Sequence, residues 1–482
     1  MKSSVTGGGY GRKKYSKGLP RGLGATRAQT ALYGPVERPR GTKVCHHCYG
    51  STSLLTFSPW YRIVSMSLQS SIDHQPMGSL QLRVVALCTL INMLDGFDVL
   101  VVAFTAAAIA EDWALTPARL GTLLSAGLVG MTLGSLVLGP VADRFGRRPM
   151  VLVCLVMISL GMLLSGLSQG FAQLAASRVL TGLGIGGMLP GINTLVAEFS
   201  PLRWRSFTVS LLQAGYPIGA TLGGALVALY IDESGWRGVY LAAGLLSAAL
   251  IPLVWWTLPE SLEFLLSRRP SAALQRVNKL LASLGQEPLR HLPPEPLQVG
   301  AGRTGYAGLL LDAGLLRRSA LFCLAFFCVM FSFYFVLSWT PKLLVDAGMS
   351  TTQGISGGVI LNVGGIFGSL LLGYLAARLE LTRLIAGYML ASAGLMLLFA
   401  GVSHFSAPVL LLALTLGFCI FGAMVGLYAL APRLYPVTSR SAGLSLAIGV
   451  GRLGAVVSPA LAGYLFDAGW ERGDGYIAFA FP

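Results

Sequence analysis

The stretch Val84–Ala110 reads VVALCTLINMLDGFDVLVVAFTAAAIA, an apolar run holding two carboxylates, Asp95 and Asp98. Crossing a hydrocarbon core takes ~20 apolar residues of helix, so the run is long enough to span a bilayer. Three residues apart, the two acids share one helix face. An Asp at mid-bilayer is unfavourable by at least ~2.5 kcal/mol unless it faces a polar cavity and has partners. Neighbouring carboxylates also repel, which suits a pair that takes up and releases a proton. The plainer alternative is a structural pair buried against cations inside a bundle.

The rest of the chain has the same character. Of its 482 residues 54% are hydrophobic and 11% charged, against ~25% charged in soluble domains. Apolar spans are expected near 84–108, 120–141, 149–168, 171–196, 207–231 and 238–257. They resume near 318–340, 354–377, 383–402, 407–430 and 441–465. The fold class is therefore an all-α polytopic membrane protein. Five of the seven cysteines (Cys88, Cys154, Cys323, Cys328, Cys419) fall in spans, as small buried hydrophobes do, and give no disulfide framework.

Residues 1–80 form a basic N-terminal extension that reads as disordered. Residues 1–65 carry 11 Lys/Arg and one acid, +10 of the chain's +15. The basic balance thus belongs to the tail and implies no nucleic-acid partner. Met66 is an alternative start, and no cleavable leader precedes the first span. Cys45-His46-His47-Cys48 cannot wrap one metal with four adjacent ligands, and no second ligand pair follows, so no metal site is expected. Beyond the extension, residues 81–258 make a first six-helix half, 259–317 a central connection, and 318–482 a second half.

Charge sorts the connectors. Arg144, Arg147 and Arg148 follow span 2, Arg203 and Arg205 span 4, Arg268, Arg269, Arg276 and Lys279 span 6. Arg378 and Arg383 follow span 8, and Arg433 and Arg440 span 10. The other connectors carry Glu111-Asp112, Asp232-Glu233 and Asp346. Positive connectors mark the cytoplasmic side, which puts the N-terminus and the central connection inside.

The chain also repeats. Pro201 and Arg205 recur as Pro436 and Arg440, Gly182 and Gly219 as Gly417 and Gly454, all at an offset of 235. Gly139 recurs as Gly373 and Gly235-Trp236 as Gly469-Trp470, at 234. By this repeat a twelfth span is expected near 473–491, and the chain ends at Pro482. The last helix is therefore expected to be truncated to roughly nine residues, ~14 Å long.

Asp95 and Asp98 lie about 12 and 15 residues inside span 1, Arg452 about 11 inside span 11 and Arg178 about seven inside span 4, so all four fall ~10–20 Å from a membrane face. Two acids and two arginines are neutral when both acids are ionised. An arginine fork fits a carboxylate. Admitting an anion would leave the site negative unless an Asp took up a proton, which is the logic of proton–anion symport. A self-neutralising structural network is the alternative. No His lies within a span, so a histidine relay is not expected.

Gly139-Pro-Val-Ala-Asp143-Arg144-Phe145-Gly146-Arg147-Arg148 joins spans 2 and 3. Gly139 permits close helix approach, Asp143 can cap a helix N-terminus, and the arginines can pair with acids or lipid phosphates. This GxxxDRxGRR pattern, with two six-span halves, resembles the major facilitator superfamily, in which the motif latches the cytoplasmic gate. The second copy, Gly373-Tyr-Leu-Ala-Ala377-Arg378, lacks the acid. Arg178-Val-Leu-Thr-Gly182-Leu-Gly184-Ile-Gly186-Gly187 and Gly215-Tyr-Pro217-Ile-Gly219 also resemble superfamily motifs. Glu198, Pro201 and Arg205, with Arg433 and Arg440, resemble the ion-pair clusters that close its inner face.

Asp95-Gly96-Phe97-Asp98 and Tyr334-Phe-Val-Leu-Ser-Trp339-Thr-Pro341 resemble the aromatic acid:H+ symporter family, and Pro259-Glu260-Ser261 fits too. The resemblance implies uptake of benzoate-type or hydroxybenzoate-type acids with protons by a monomer in a bacterial inner membrane. It makes Asp95 and Asp98 the proton carriers and Arg178 or Arg452 the carboxylate holder. Phe331, Tyr334 and Trp339 are candidates for stacking on the substrate ring. Protons are the coupling ion, and no cofactor is expected. No nucleophile–base set or nucleotide loop appears, so an enzyme is not expected. Efflux antiport, carriage of another organic acid, and a non-transporting remnant or sensor share the same architecture.

Overall fold

The computed structural model describes residues 76–292, 313–376, 378–401, 407–435 and 440–482. The Cys45–Cys48 cluster, Met66, Ala377 and part of the central connection lie outside the described residues. The first half comprises α1 Ser79–Asp112, α2 Pro117–Phe145, α3 Arg147–Gly166, α4 Phe171–Phe199 and α5 Leu202–Thr257. Two short helices follow, α6 Leu262–Arg268 and α7 Ala273–Ser283. The second half comprises α8 Ala313–Asp346, α9 Thr351–Leu375, α10 Leu381–Ala400, α11 Ala407–Leu434, α12 Arg440–Asp467 and α13 Arg472–Ala480.

Among the described residues ten helices are long and apolar enough to cross a membrane. The 56-residue α5 holds two of the expected spans, because Gly235, at φ 64°, breaks its helical path. That is a left-handed conformation which glycine adopts without steric penalty. Its repeat partner Gly469, at φ 93°, ends α12 before the nine-residue α13. The recurring Gly-Trp pair is therefore the bend joining the last two spans of each half. Helix starts follow ordinary capping chemistry. The Thr116 hydroxyl accepts from the Arg119 amide ahead of α2, and Ser350 with Gln353 forms a capping box on α9.

Lipid is as apolar as leucine, so these helices associate through close packing of small residues. A methyl on Gly182 would strike the Gly127 carbonyl, joining α4 to α2. Its counterpart Gly417 would strike Leu361, joining α11 to α9. Likewise Gly219 meets the Met93 carbonyl in α1, and Gly454 meets Phe327 in α8. The repeat is thus a repeat of backbone-to-backbone contacts. Gly139 and Gly373 depart from it: a methyl at either would meet nothing within 4 Å. The close approach expected at Gly139 is not made.

The halves meet toward the end bearing Asp112, Asp232 and Asp346. There Gly121 of α2 packs on Pro459 and Gly463 of α12. Phe104 of α1, 1% exposed, wedges against Gly224 and Gly358. Thr352 donates to Asp232 at 3.3 Å.

Candidate functional site

Asp95 and Asp98 are 2% and 1% exposed, and among the described residues none of their carboxylate oxygens has a hydrogen-bond partner. The glycine between them sets the local geometry. A methyl at Gly96 would collide with the Tyr216 carbonyl, so α1 and α5 touch backbone to backbone at that level. One turn earlier Asn92 donates to the Leu212 carbonyl at 2.6 Å and fixes the register of the two helices.

The two arginines are held differently. Arg178, 2% exposed, donates from Nη2 to the backbone carbonyl of Asp98 at 2.5 Å and from Nη1 to Met162 Sδ at 2.8 Å. Its guanidinium lies 5.6 Å from the Tyr240 ring centre. Arg178 is therefore fastened by α1, α3 and the second arm of α5, all within the first half. Beside it is a void of about 10 Å³ lined by Val99, Gly127, Gly182 and neighbours, room for one water at most. Its charge acts on the Asp98 carboxylate. Arg452, on α12 in the second half, acts on Asp95. Its Nη1 is buried and unpartnered among the described residues. The two carboxylates are thus bracketed by two guanidiniums, and the bracket crosses the boundary between halves.

Two tyrosines that sequence reasoning passed over join Tyr334 here. Tyr216, Tyr334 and Tyr428 all lie in the field of Arg452. Tyr216 was legible only as part of Gly215-Tyr-Pro217, a packing motif. Tyr428 carried no local signal. Phe331 and Trp339, expected to stack on substrate, have ring partners within the protein. Phe331 stacks on Phe479 of α13 at 4.7 Å and on Phe327 at 5.8 Å. The Trp339 indole donates to the Pro459 carbonyl at 3.1 Å and packs edge-on to Phe466. Trp339 also lines a cavity of about 490 Å³ at the acidic end, with Glu111, Lys342, Asp346 and Arg472.

The motif after α2 is organised by a residue that sequence reasoning did not assign. Glu260 Oε1 accepts from the backbone amides of Arg147 at 2.9 Å, Arg148 at 3.2 Å and Ser261 at 2.9 Å. A carboxylate there satisfies amides at the positive end of α3. Gly146 makes room for it: its φ of 111° suits glycine, and a side chain would run into Glu260. The start of α3 is thus capped from 113 residues downstream of Arg147, while the side chain of Asp143 lies outside the described residues. Arg147 pairs with Glu198, bonds Ser261 Oγ at 2.7 Å, and lies 3.3 Å from Glu263. Ser261 in turn donates to Glu198 at 2.7 Å. Arg148 donates to the Trp255 carbonyl, and Arg205 to that of Ser200 at 3.2 Å.

Among the described residues this cluster ties the first half to the start of the central connection. Arg144 is exposed over the Phe145 ring, and Arg433 is exposed at the end of α11. Among the described residues the Glu198 carboxylate is held by Arg147 and Ser261. The side chain of Arg440 lies outside the described residues. Among the described residues no group of acids, His or Cys could hold a metal ion.

The sequence profile of the Major Facilitator Superfamily matches residues 85–459. The gallate transporter of Pseudomonas putida is 34% identical over 83% of this chain and 88% of its own length. The 4-hydroxybenzoate transporter PcaK of Pseudomonas aeruginosa is 32% identical over 86% and 93%. Among solved structures, the xylose transporter XylE of Escherichia coli, in a partially occluded inward-open conformation, has a TM-score of 0.63 at 18% identity over 84% of this chain and 95% of its own. That likeness is one of fold. With the profile spanning most of both halves, the chain belongs to the major facilitator superfamily of membrane transporters.

Proposed function

We propose that the protein carries aromatic carboxylates together with protons into a bacterial cell, as a monomer in the cytoplasmic membrane. Residues 81–258 and 318–482 rock about a site between them, tethered by 259–317. The observation that carries this reading is the buried bracket Arg178, Asp98, Asp95, Arg452 across the boundary of the halves. The names of the gallate and 4-hydroxybenzoate transporters support the substrate class.

The chemistry follows from charge balance. In the empty site the Arg452 charge acts on Asp95 across the boundary. An arriving carboxylate that takes Arg452 strands a buried negative charge, which is strongly unfavourable in a dry site. Protonation of Asp95 or Asp98 removes that charge, so only the site holding both anion and proton turns over. Arg178, already bonded within the first half, stabilises Asp98 rather than receiving substrate. The arginine-rich connectors support a cytoplasmic position for the N-terminus and α6–α7, and the exposed Trp204, Trp255 and Trp256 suit the membrane interface there.

The test is uptake of labelled 4-hydroxybenzoate at pH 6 in cells expressing the protein, with and without a protonophore, and with unlabelled benzoate or succinate as competitor. Accumulation that a protonophore abolishes and benzoate alone competes is the expected result. Protonophore-insensitive accumulation would sink the coupling, and competition by succinate would sink the aromatic class.

A further inference from the structure

In the field of Arg452 the site offers phenol hydroxyls from both halves. Tyr216 comes from α5 in the first half and Tyr334 from α8 in the second, and each lies in the fields of both Asp95 and Arg452. The buried Tyr216 hydroxyl makes no well-aligned hydrogen bond among the described residues and lies beside the hydroxyl of Tyr334. Arg452 Nη1 and both oxygens of Asp95 likewise make no hydrogen bond among the described residues. Buried polar groups are normally satisfied, and those that are not call for a ligand or a catalytic reason. A phenol pair, a guanidinium nitrogen and a carboxylate, drawn from both halves, therefore lie within one another's electrostatic reach with hydrogen-bonding capacity to spare.

We propose that Tyr216 and Tyr334 donate hydrogen bonds to the substrate's carboxylate beside Arg452, completing a guanidinium–phenol cradle. The proposal rests on the reading that an aromatic carboxylate is the cargo. A carboxylate has about four acceptor positions, and one guanidinium edge fills two of them. In a water-poor site the remainder need donors. A phenol supplies one without adding charge. Neutral donors tighten anion binding while leaving the missing proton to Asp95 or Asp98, whereas a lysine in either place would neutralise the anion and uncouple it from the proton. Both tyrosines are fixed in position. The backbone of Tyr216 is pressed on Gly96, and the Tyr334 ring stands edge-on to Phe333 at 5.3 Å. Because the donors come from both halves, the carboxylate is fully held only when the halves are together.

The test compares Tyr216→Phe and Tyr334→Phe with wild type for uptake of labelled benzoate and 4-hydroxybenzoate. Phenylalanine keeps the ring packing, and membrane abundance is measured alongside. Each variant is expected to raise KM roughly 10- to 100-fold for both acids, the loss typical of one hydrogen bond to a charged group. Vmax and protonophore sensitivity are expected to persist. Unchanged KM in both variants would overturn the cradle. A loss confined to 4-hydroxybenzoate would also overturn it, by showing that the phenols read the ring hydroxyl. If one variant does not reach the membrane, the other decides alone. Thermal stabilisation of purified wild-type protein by benzoate is the separate control: its absence removes the aromatic-acid reading itself, and the cradle with it.

Discussion

At the scale of single residues, Asp95, Gly96 and Asp98 show how three positions divide their work. The glycine lets α1 sit on the Tyr216 backbone, and that contact carries Asp95 to the boundary of the halves. Asp98 stays inside the first half beside Arg178. Asp95→Asn is expected to bring proton-driven accumulation to background while substrate exchange across energised or de-energised vesicles persists. Wild-type uptake should rise as the outside pH falls, because the acid must load its proton from that side. In the Asn variant that slope should vanish, and an unchanged slope would remove Asp95 from the proton path. The arginines should separate by readout. Arg178→Ala strands buried groups and is expected to destabilise the protein by about 3–5 kcal/mol, seen as a large fall in Tm. Arg452→Lys keeps the charge but loses the fork, so a higher KM at nearly unchanged Tm is expected.

At the scale of elements, the α2–α3 link depends on a cap supplied by the segment before α6. Glu260→Ala removes the acceptor for three backbone amides, and a loss of about 1–2 kcal/mol is expected from denaturation in detergent. The glycines give a sharper comparison, since identical residues in similar helices have opposite surroundings. Gly219→Val would drive a side chain into the Met93 carbonyl and is expected to prevent folding, seen as loss of membrane-resident protein. Gly139→Ala enters open space. It should leave abundance unchanged or raise stability by about 0.5–1 kcal/mol, as alanine does over glycine inside a helix. A marked loss at Gly139 would mean that another conformation brings a neighbour against it.

At the scale of the whole molecule, the repeat at 234–235 residues becomes a repeat of helix contacts, with α2 on α4 matched by α9 on α11. Similar rigid halves in contact toward one end suit a molecule that rocks about its middle. Orientation can be read with single cysteines at exposed connector positions. Gln169→Cys, between α3 and α4, is expected to react with an impermeant maleimide from outside intact cells. Ser283→Cys, at the end of α7, is expected to react only after permeabilisation. The reverse pattern would invert the topology.

The spans and their number were legible along the chain, because helix length and apolar runs are local properties. The sequence also marked Asp95, Asp98, Arg178 and Arg452, because a charge inside an apolar run is conspicuous wherever it ends up. Partnership was not legible. Whether Arg178 bonds a carboxylate or the Asp98 backbone depends on how α1 and α4 are rotated against each other. Glu260 reaches the start of α3, and Tyr216 comes into the field of Arg452, across separations of more than 100 residues. Phe331 and Tyr334 lie three apart on one helix, yet one packs on Phe479 and the other faces Arg452. Such assignments are set by helix rotation and depth in the assembled bundle, which no window along the chain contains.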